Sequence, residues 1–142
     1  MTRADRLRPI FDRLLEVERQ ARHRLSACEA ERVAQQARLD DLHRYAGEYR
    51  QRTQRSQVGV ATLREHQQFV ARLEQLALAQ ERVIEAAELA CASAREDVQR
   101  QHRRSEGLHR LIGRYQRQAR QAGERREQQA LDDWVSARAG RT

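Results

Sequence analysis

A chain of 142 residues is long enough for one ordinary globular domain, yet only 39% of it is hydrophobic, 4% is aromatic and 35% is charged. That balance excludes a large apolar core, while one proline and six glycines leave long uninterrupted helices open. All 28 basic residues are Arg, and the net charge of +7 is uneven: residues 1–97 hold 17 Arg against 16 acids, residues 98–142 hold 11 against 5. The excess positive charge therefore belongs to the last third of the chain.

The opening residues, Met1 to Arg8, are charged and carry no apolar signal core, and no later stretch approaches the run of about 20 apolar residues that spans a membrane. Pro9 is tolerated only in a first helical turn, so the first helix is expected from about residue 7 to about residue 52. Along it Phe11, Leu14, Ala21, Leu25, Cys28, Leu39, Leu42, Ala46 and Tyr49 follow an alternating 4,3 ladder, interrupted by the polar residues Glu18, Arg32 and Gln35. An apolar residue every 3.5 positions makes a narrow stripe that needs a partner stripe.

The segment Thr53 to Ala61 loses the ladder and contains Gly59, which predicts a turn centred on residue 57 or 58. Thr62 with Glu65 has the spacing of a capping box and predicts the start of a second helix, reaching about residue 138. Its ladder reads Phe69, Leu73, Leu76, Val83, Ala87 and Ala90, then steps by four through Ala94 and Val98, a stutter, before Leu108, Ile112, Tyr115, Ala119 and Ala122 resume the alternation.

Two stripes joined by a turn find each other. The expected fold is all-α, a single domain of two long helices forming an antiparallel coiled-coil hairpin. Partners should have residue numbers totalling about 115, which sets Leu42 against Leu73, Leu14 against Gln101, Leu7 against Leu108, and Arg32 and Gln35 near Gln80. From about residue 110 the longer second helix would overhang. Gly107, Gly113 and Gly123 each weaken that overhang by about 1 kcal/mol relative to Ala, so it should fray until it docks.

Such a fold leaves no room for a pocket, and no catalytic residue, cofactor or metal is expected. His23, His43, His66, His102 and His109 form no i,i+4 pair, and neither a phosphate-binding glycine loop nor a nucleophile elbow occurs. Cys28 and Cys91 read as small seam residues in a reducing compartment. Candidate sites therefore lie on the surface. Tyr45, Tyr49 and Phe69 cluster beside the turn; Tyr49 and Phe69 belong to the seam, while Tyr45, one position before Ala46, flanks it and is free to meet a partner. At the other end Arg110, Arg114, Arg117, Arg120 and Arg125 form a basic face. It is open to three readings: a solvated surface, phosphate neutralisation on a nucleic acid, or bidentate pairing with an acidic protein surface.

The run Tyr45-Ala-Gly-Glu48-Tyr49-Arg50, the break at Gly59 and the run Gln67-Gln68-Phe69-Val-Ala-Arg-Leu73-Glu74 resemble the hairpin of the flagellar export protein FliJ family. The ending Leu131-Asp132-Asp133-Trp134 through Arg138 is similar to that family's C-terminus. The resemblance implies a non-enzymatic coiled-coil stalk of the type III export apparatus, cytoplasmic and peripheral at the inner membrane through its partners. Those partners would be the hexameric export ATPase, the membrane export gate protein and export chaperones, with no nucleic acid and no direct membrane insertion. Carried over, the gate-binding strip is Leu42, Tyr45, Tyr49, Phe69, Leu73 and Leu76, with Gln80 where the strip would continue. By analogy with rotary stalks, the ATPase ring would meet the basic face of Arg110, Arg114, Arg117, Arg120 and Arg125. The equivalent stalk of a virulence-type secretion system, or a basic coiled-coil nucleic-acid-binding protein, are the alternatives.

Overall fold

The computed structural model describes residues 1–56 and 59–141, so the expected turn centre at residue 57 or 58 lies outside the described residues. Helix α1 runs Arg3–Arg55, 53 residues, and helix α2 runs Val60–Ala139, 80 residues; the two pack against each other, and no strand occurs among the described residues. The fold is the expected all-α class, with the second helix longer.

Both helices begin earlier than the sequence signals suggest. At the start of α1 the Asp5 N–H donates to Thr2 Oγ1 at 3.2 Å, and the Asp5 carboxylate accepts from the Thr2 N–H and hydroxyl at 3.1 and 2.8 Å. This is a reciprocal cap, and it outweighs Pro9, which sits inside the helix. Ala4 also stabilises the extra turn, being only 4% exposed. In α2 the first bond outside the regular ladder is Leu63 N–H to the Gly59 carbonyl at 2.9 Å. Gly59 therefore takes the capping position, and Thr62, expected to cap, lies within the helix. Near the end of α1 the Thr53 and Ser56 hydroxyls both donate back to carbonyls four residues earlier, those of Tyr49 and Arg52.

Contacts divide the chain into two compact units, Ala21–Val98 and Met1–Gln20 with Gln99–Thr142, each containing a piece of both helices. In the first unit every expected α1 ladder residue is buried or half-buried, and the alternation continues without a break through Arg32 and Gln35 to Thr53. The α2 ladder differs from expectation. Its buried and half-buried ladder positions are His66, Val70, Leu73, Ala77, Gln80, Ile84, Ala87, Cys91, Ala94 and Val98, with Phe69 and Asp97 half-buried beside the ladder, while Leu76, Val83 and Ala90 are exposed. The expected stutter is absent, because Ile84 and Cys91, not Val83 and Ala90, occupy the seam.

The register is correspondingly shifted by one rung. Counting the ladders outward in this unit sets Thr53 level with His66, Ala46 with Leu73 and Leu39 with Gln80, so partner numbers total about 119 rather than 115. Leu42 comes level with Ala77, although it still shares a groove with Leu73. The Gln80 amide donates to the Gln35 carbonyl at 2.9 Å and to Gln35 Oε1 at 2.8 Å, which is the polar pairing expected of these two residues. Arg24–Asp97 at 3.2 Å, Arg95–Glu29 at 3.6 Å and Arg50–Glu74 bridge the helices outside the seam.

In the second unit Ala4, Leu7, Phe11, Leu14 and Glu18 alternate on α1 against Gln101, Ser105, Leu108, Ile112 and Tyr115 on α2. The same count sets Leu14 level with Ser105 and Leu7 with Ile112, displacing the expected Gln101 and Leu108. Glu18 is a polar rung whose carboxylate accepts from His102 Nδ1 at 2.7 Å and from the Ser105 hydroxyl at 3.2 Å. The Phe11 and His109 rings lie 5.4 Å apart, and the Arg3 guanidinium covers the Tyr115 ring at 5.6 Å. The paired part of α2 thus reaches Tyr115, beyond the expected limit near residue 110.

Candidate docking strip and basic helix end

The strip beside the turn grows out of the mismatch between the apolar stripe of α2 and the seam. A two-stranded seam needs two apolar positions in seven, whereas α2 offers three: the seam pair and the position just before one of them. Phe69, Leu76 and Val83 precede the seam residues Val70, Ala77 and Ile84 at heptad spacing. Burial separates the second and third pairs: Ala77 is 6% and Ile84 7% exposed against 55% for Leu76 and 44% for Val83, while Phe69 and Val70 are both half-buried. The surplus apolar edge faces water.

Tyr45 meets that edge from α1. Its ring lies 6.4 Å from Phe69 in an edge-to-face arrangement and remains 53% exposed. Tyr49, deeper in the seam, lies 4.6 Å from Phe69 and 4.8 Å from the His66 ring. The three aromatics expected to cluster do so, with centroid separations in the range of favourable ring contacts. Leu42 and Tyr45 line an open groove of about 420 Å³ with Arg38, Asp41 and Gln80.

Of the six strip residues read from the sequence, the structure brings Tyr45, Tyr49 and Phe69 into direct ring contact. Leu42 adjoins Tyr45 in the groove, Leu73 is buried in the seam, and Leu76 is exposed on the surplus edge beside Gln75 and Arg72. Leu73 thus supports the strip from beneath. His66 and Val83 extend the site beyond these six. Continuing the alternation back from Leu73 through Val70 reaches His66, and one further heptad step from Leu76 reaches Val83.

His66 is fixed by its neighbours. The Thr53 hydroxyl donates its only proton to the Tyr49 carbonyl at 2.9 Å, so it accepts from His66 Nδ1 at 2.6 Å. Nδ1 then carries a proton. His66 also lines a second open groove, of about 430 Å³, together with Arg50, Leu63, Val70 and Glu74.

Past Tyr115 the ladder turns polar at Arg126, Gln129 and Asp133, and α2 stays helical to Ala139 with its side chains exposed. Where the glycines suggested fraying, short-range bonds support the helix: Gln128 to Asp132 and Gln129 to Asp133, both 3.2 Å, with Arg138 over the Trp134 ring at 5.0 Å. Arg110 pairs with Glu106 at 3.6 Å, and Arg110, Arg114, Arg117, Arg120 and Arg125 are all exposed. The 3.6-residue period places these five in a broad sector away from Leu108, Ile112 and Tyr115. Among the described residues no group of three or more potential ligands could hold a metal ion, and no helix is long and apolar enough to cross a membrane.

These features define a two-helix coiled-coil protein whose exposed chemistry is an aromatic edge and an arginine-rich helix end. The family model described as Flagellar FliJ protein matches residues 3–142, and the chain belongs to the FliJ family. It is accordingly a flagellar export-associated protein of a non-enzymatic family whose members work with other components of the export apparatus. No curated protein and no solved structure matches the chain.

Proposed function

We propose that this protein is a stalk of the flagellar type III export apparatus, linking the hexameric export ATPase to the membrane export gate and escorting export chaperones. The observation that carries this reading is the surplus apolar edge. A coiled coil that needed only to hold itself together would have polar residues at Tyr45, Leu76 and Val83, yet these are exposed and continuous with Phe69. Exposed aromatic and aliphatic anchors of this kind are the usual centres of protein–protein interfaces. The gate protein is their proposed partner, with Leu42, Tyr45, Tyr49, Phe69, Leu73 and Leu76 forming the strip.

The ATPase ring is the proposed partner of Arg110, Arg114, Arg117, Arg120 and Arg125. Arg pairs bidentately with carboxylates, and a single helix is slender enough to enter a ring lumen. The protein would act at the cytoplasmic face of the inner membrane through these partners. The test is binding of purified protein to the soluble part of the gate protein. Tyr45→Ala should keep the helical circular dichroism and melting midpoint of the wild type while weakening binding about tenfold or more, as a hot-spot residue does. Unchanged affinity would remove Tyr45 from the interface, and loss of helicity would make it a structural residue.

A further inference from the structure

The two cysteines, 63 positions apart in the sequence, come level with each other when the ladders of the Ala21–Val98 unit are counted out from Thr53 and His66. On α1 the ladder reads Leu25, Cys28, Arg32; on α2 it reads Ala94, Cys91, Ala87 in the opposite direction. The Thr53–His66 bond at 2.6 Å joins residues that are level on the count that brings Cys28 level with Cys91, and further cross-helix bonds flank the cysteine rung. Gln80 holds Gln35 at 2.8 Å toward the turn, and Arg95–Glu29 at 3.6 Å and Arg24–Asp97 at 3.2 Å tie the helices together on the other side. Both thiols are free; Cys91 is 2% exposed and Cys28 is half-buried. The residues above and below Cys91 in its ladder are both Ala, so no large side chain on α2 keeps the helices apart at this rung.

We propose that Cys28 and Cys91 form a modification site: a thiol pair that an oxidant of the disulfide class, such as oxidised glutathione, converts to a reversible bond between the helices. Opposed seam positions are where a short cross-helix bond can close, because the side chains point into the same layer. Unequal burial sets the order of events. The more accessible Cys28 sulfur attacks the glutathione disulfide, forming a mixed disulfide and releasing one glutathione thiol. The Cys91 sulfur then attacks the Cys28 sulfur and releases the second glutathione. One disulfide is reduced and one is made, the two cysteine protons leave on the two glutathione thiols, and excess dithiol reverses the exchange.

The experiment treats the folded full-length protein with oxidised glutathione, quenches with acid, and maps the products by proteolysis and mass spectrometry. A peptide joining Cys28 to Cys91, lighter by two hydrogens, in monomeric protein is the expected product. It should form at least about tenfold faster in native buffer than in concentrated urea, because the seam holds the thiols at high effective concentration. Cys28→Ser should abolish both the crosslink and most glutathione uptake, whereas Cys91→Ser should leave the mixed disulfide on Cys28. The oxidised wild type should also melt at a higher temperature than the reduced protein. Separate glutathione adducts on both cysteines, crosslinks between molecules, or faster bond formation in urea would each overturn the proposal.

Discussion

Adjacent residues of α2 have opposite fates, and Leu73, Leu76 and Ala77 show why. Leu73 and Ala77 point into the layer between the helices, while Leu76 points along its edge. Truncation should read this difference directly. Leu73→Ala is expected to cost about 2–4 kcal/mol of unfolding free energy through lost burial and the cavity left behind. Leu76→Ala should cost less than about 0.5 kcal/mol, as exposed substitutions usually do. Urea titration followed by circular dichroism measures both; equal losses would mean that Leu76 is seam and the surplus edge does not exist. The sequence showed the apolar residues here without showing which were surplus. Phe69, Leu76 and Val83 form as regular a heptad series as Val70, Ala77 and Ile84, and their side chains are on average larger. Size favoured the wrong series. On α1 no such rival exists, because His43, Glu29 and Arg22 beside the ladder are polar, so its ladder was legible residue by residue.

At the level of the helix, the start of α1 depends on Thr2 and Asp5 more than on any apolar contact beyond Ala4. Hydrogen bonds from the Thr2 hydroxyl and backbone N–H hold the Asp5 carboxyl below its ordinary value. A lowered folded pKa means that the cap contributes fully above the unfolded value and is lost as pH falls through the folded one. Acidification below about pH 4 should therefore release the first turn while the rest of α1 persists. Amide exchange, corrected for its intrinsic pH dependence, would show this at Arg6, whose N–H bonds the Thr2 carbonyl at 3.2 Å. In Thr2→Ala the Arg6 protection should already be low at neutral pH and change little on acidification; a wild-type pH response in that variant would exclude the cap as its cause. The same local chemistry explains the misplaced boundaries. Pro9 and the Thr62–Glu65 spacing are genuine helix-start signals, but each competes with a nearer one, Thr2 with Asp5 and Gly59 respectively. A proline adapted to a first turn can sit farther inside when the turns before it are capped and packed.

Over the whole molecule, seam and surface make separable demands. Within the unit of Met1–Gln20 and Gln99–Thr142, Arg3 of α1 lies over Tyr115 of α2, and the described side chains that follow Tyr115 are exposed. Burial there adds little to stability, so any role for Arg117, Arg120, Arg125, Leu131 and Trp134 is played at the surface. Deleting residues 124–142 removes Arg125, Leu131 and Trp134 but no seam residue. Melting of the remaining helices, followed at 222 nm, should stay within about 2 °C of the full-length midpoint, since no apolar burial is lost. If the helix end engages the export ATPase, the same truncation should abolish stimulation of ATP hydrolysis by the purified ring. Replacing Arg114, Arg117 and Arg120 with Gln should weaken that stimulation without the deletion, and added salt should weaken the wild-type effect in parallel, because exposed ion pairs are screened within about 10 Å at 0.1 M. Full stimulation by the truncated protein would move the ATPase contact elsewhere. A lowered melting midpoint would instead reveal that the exposed end supports the helices after all.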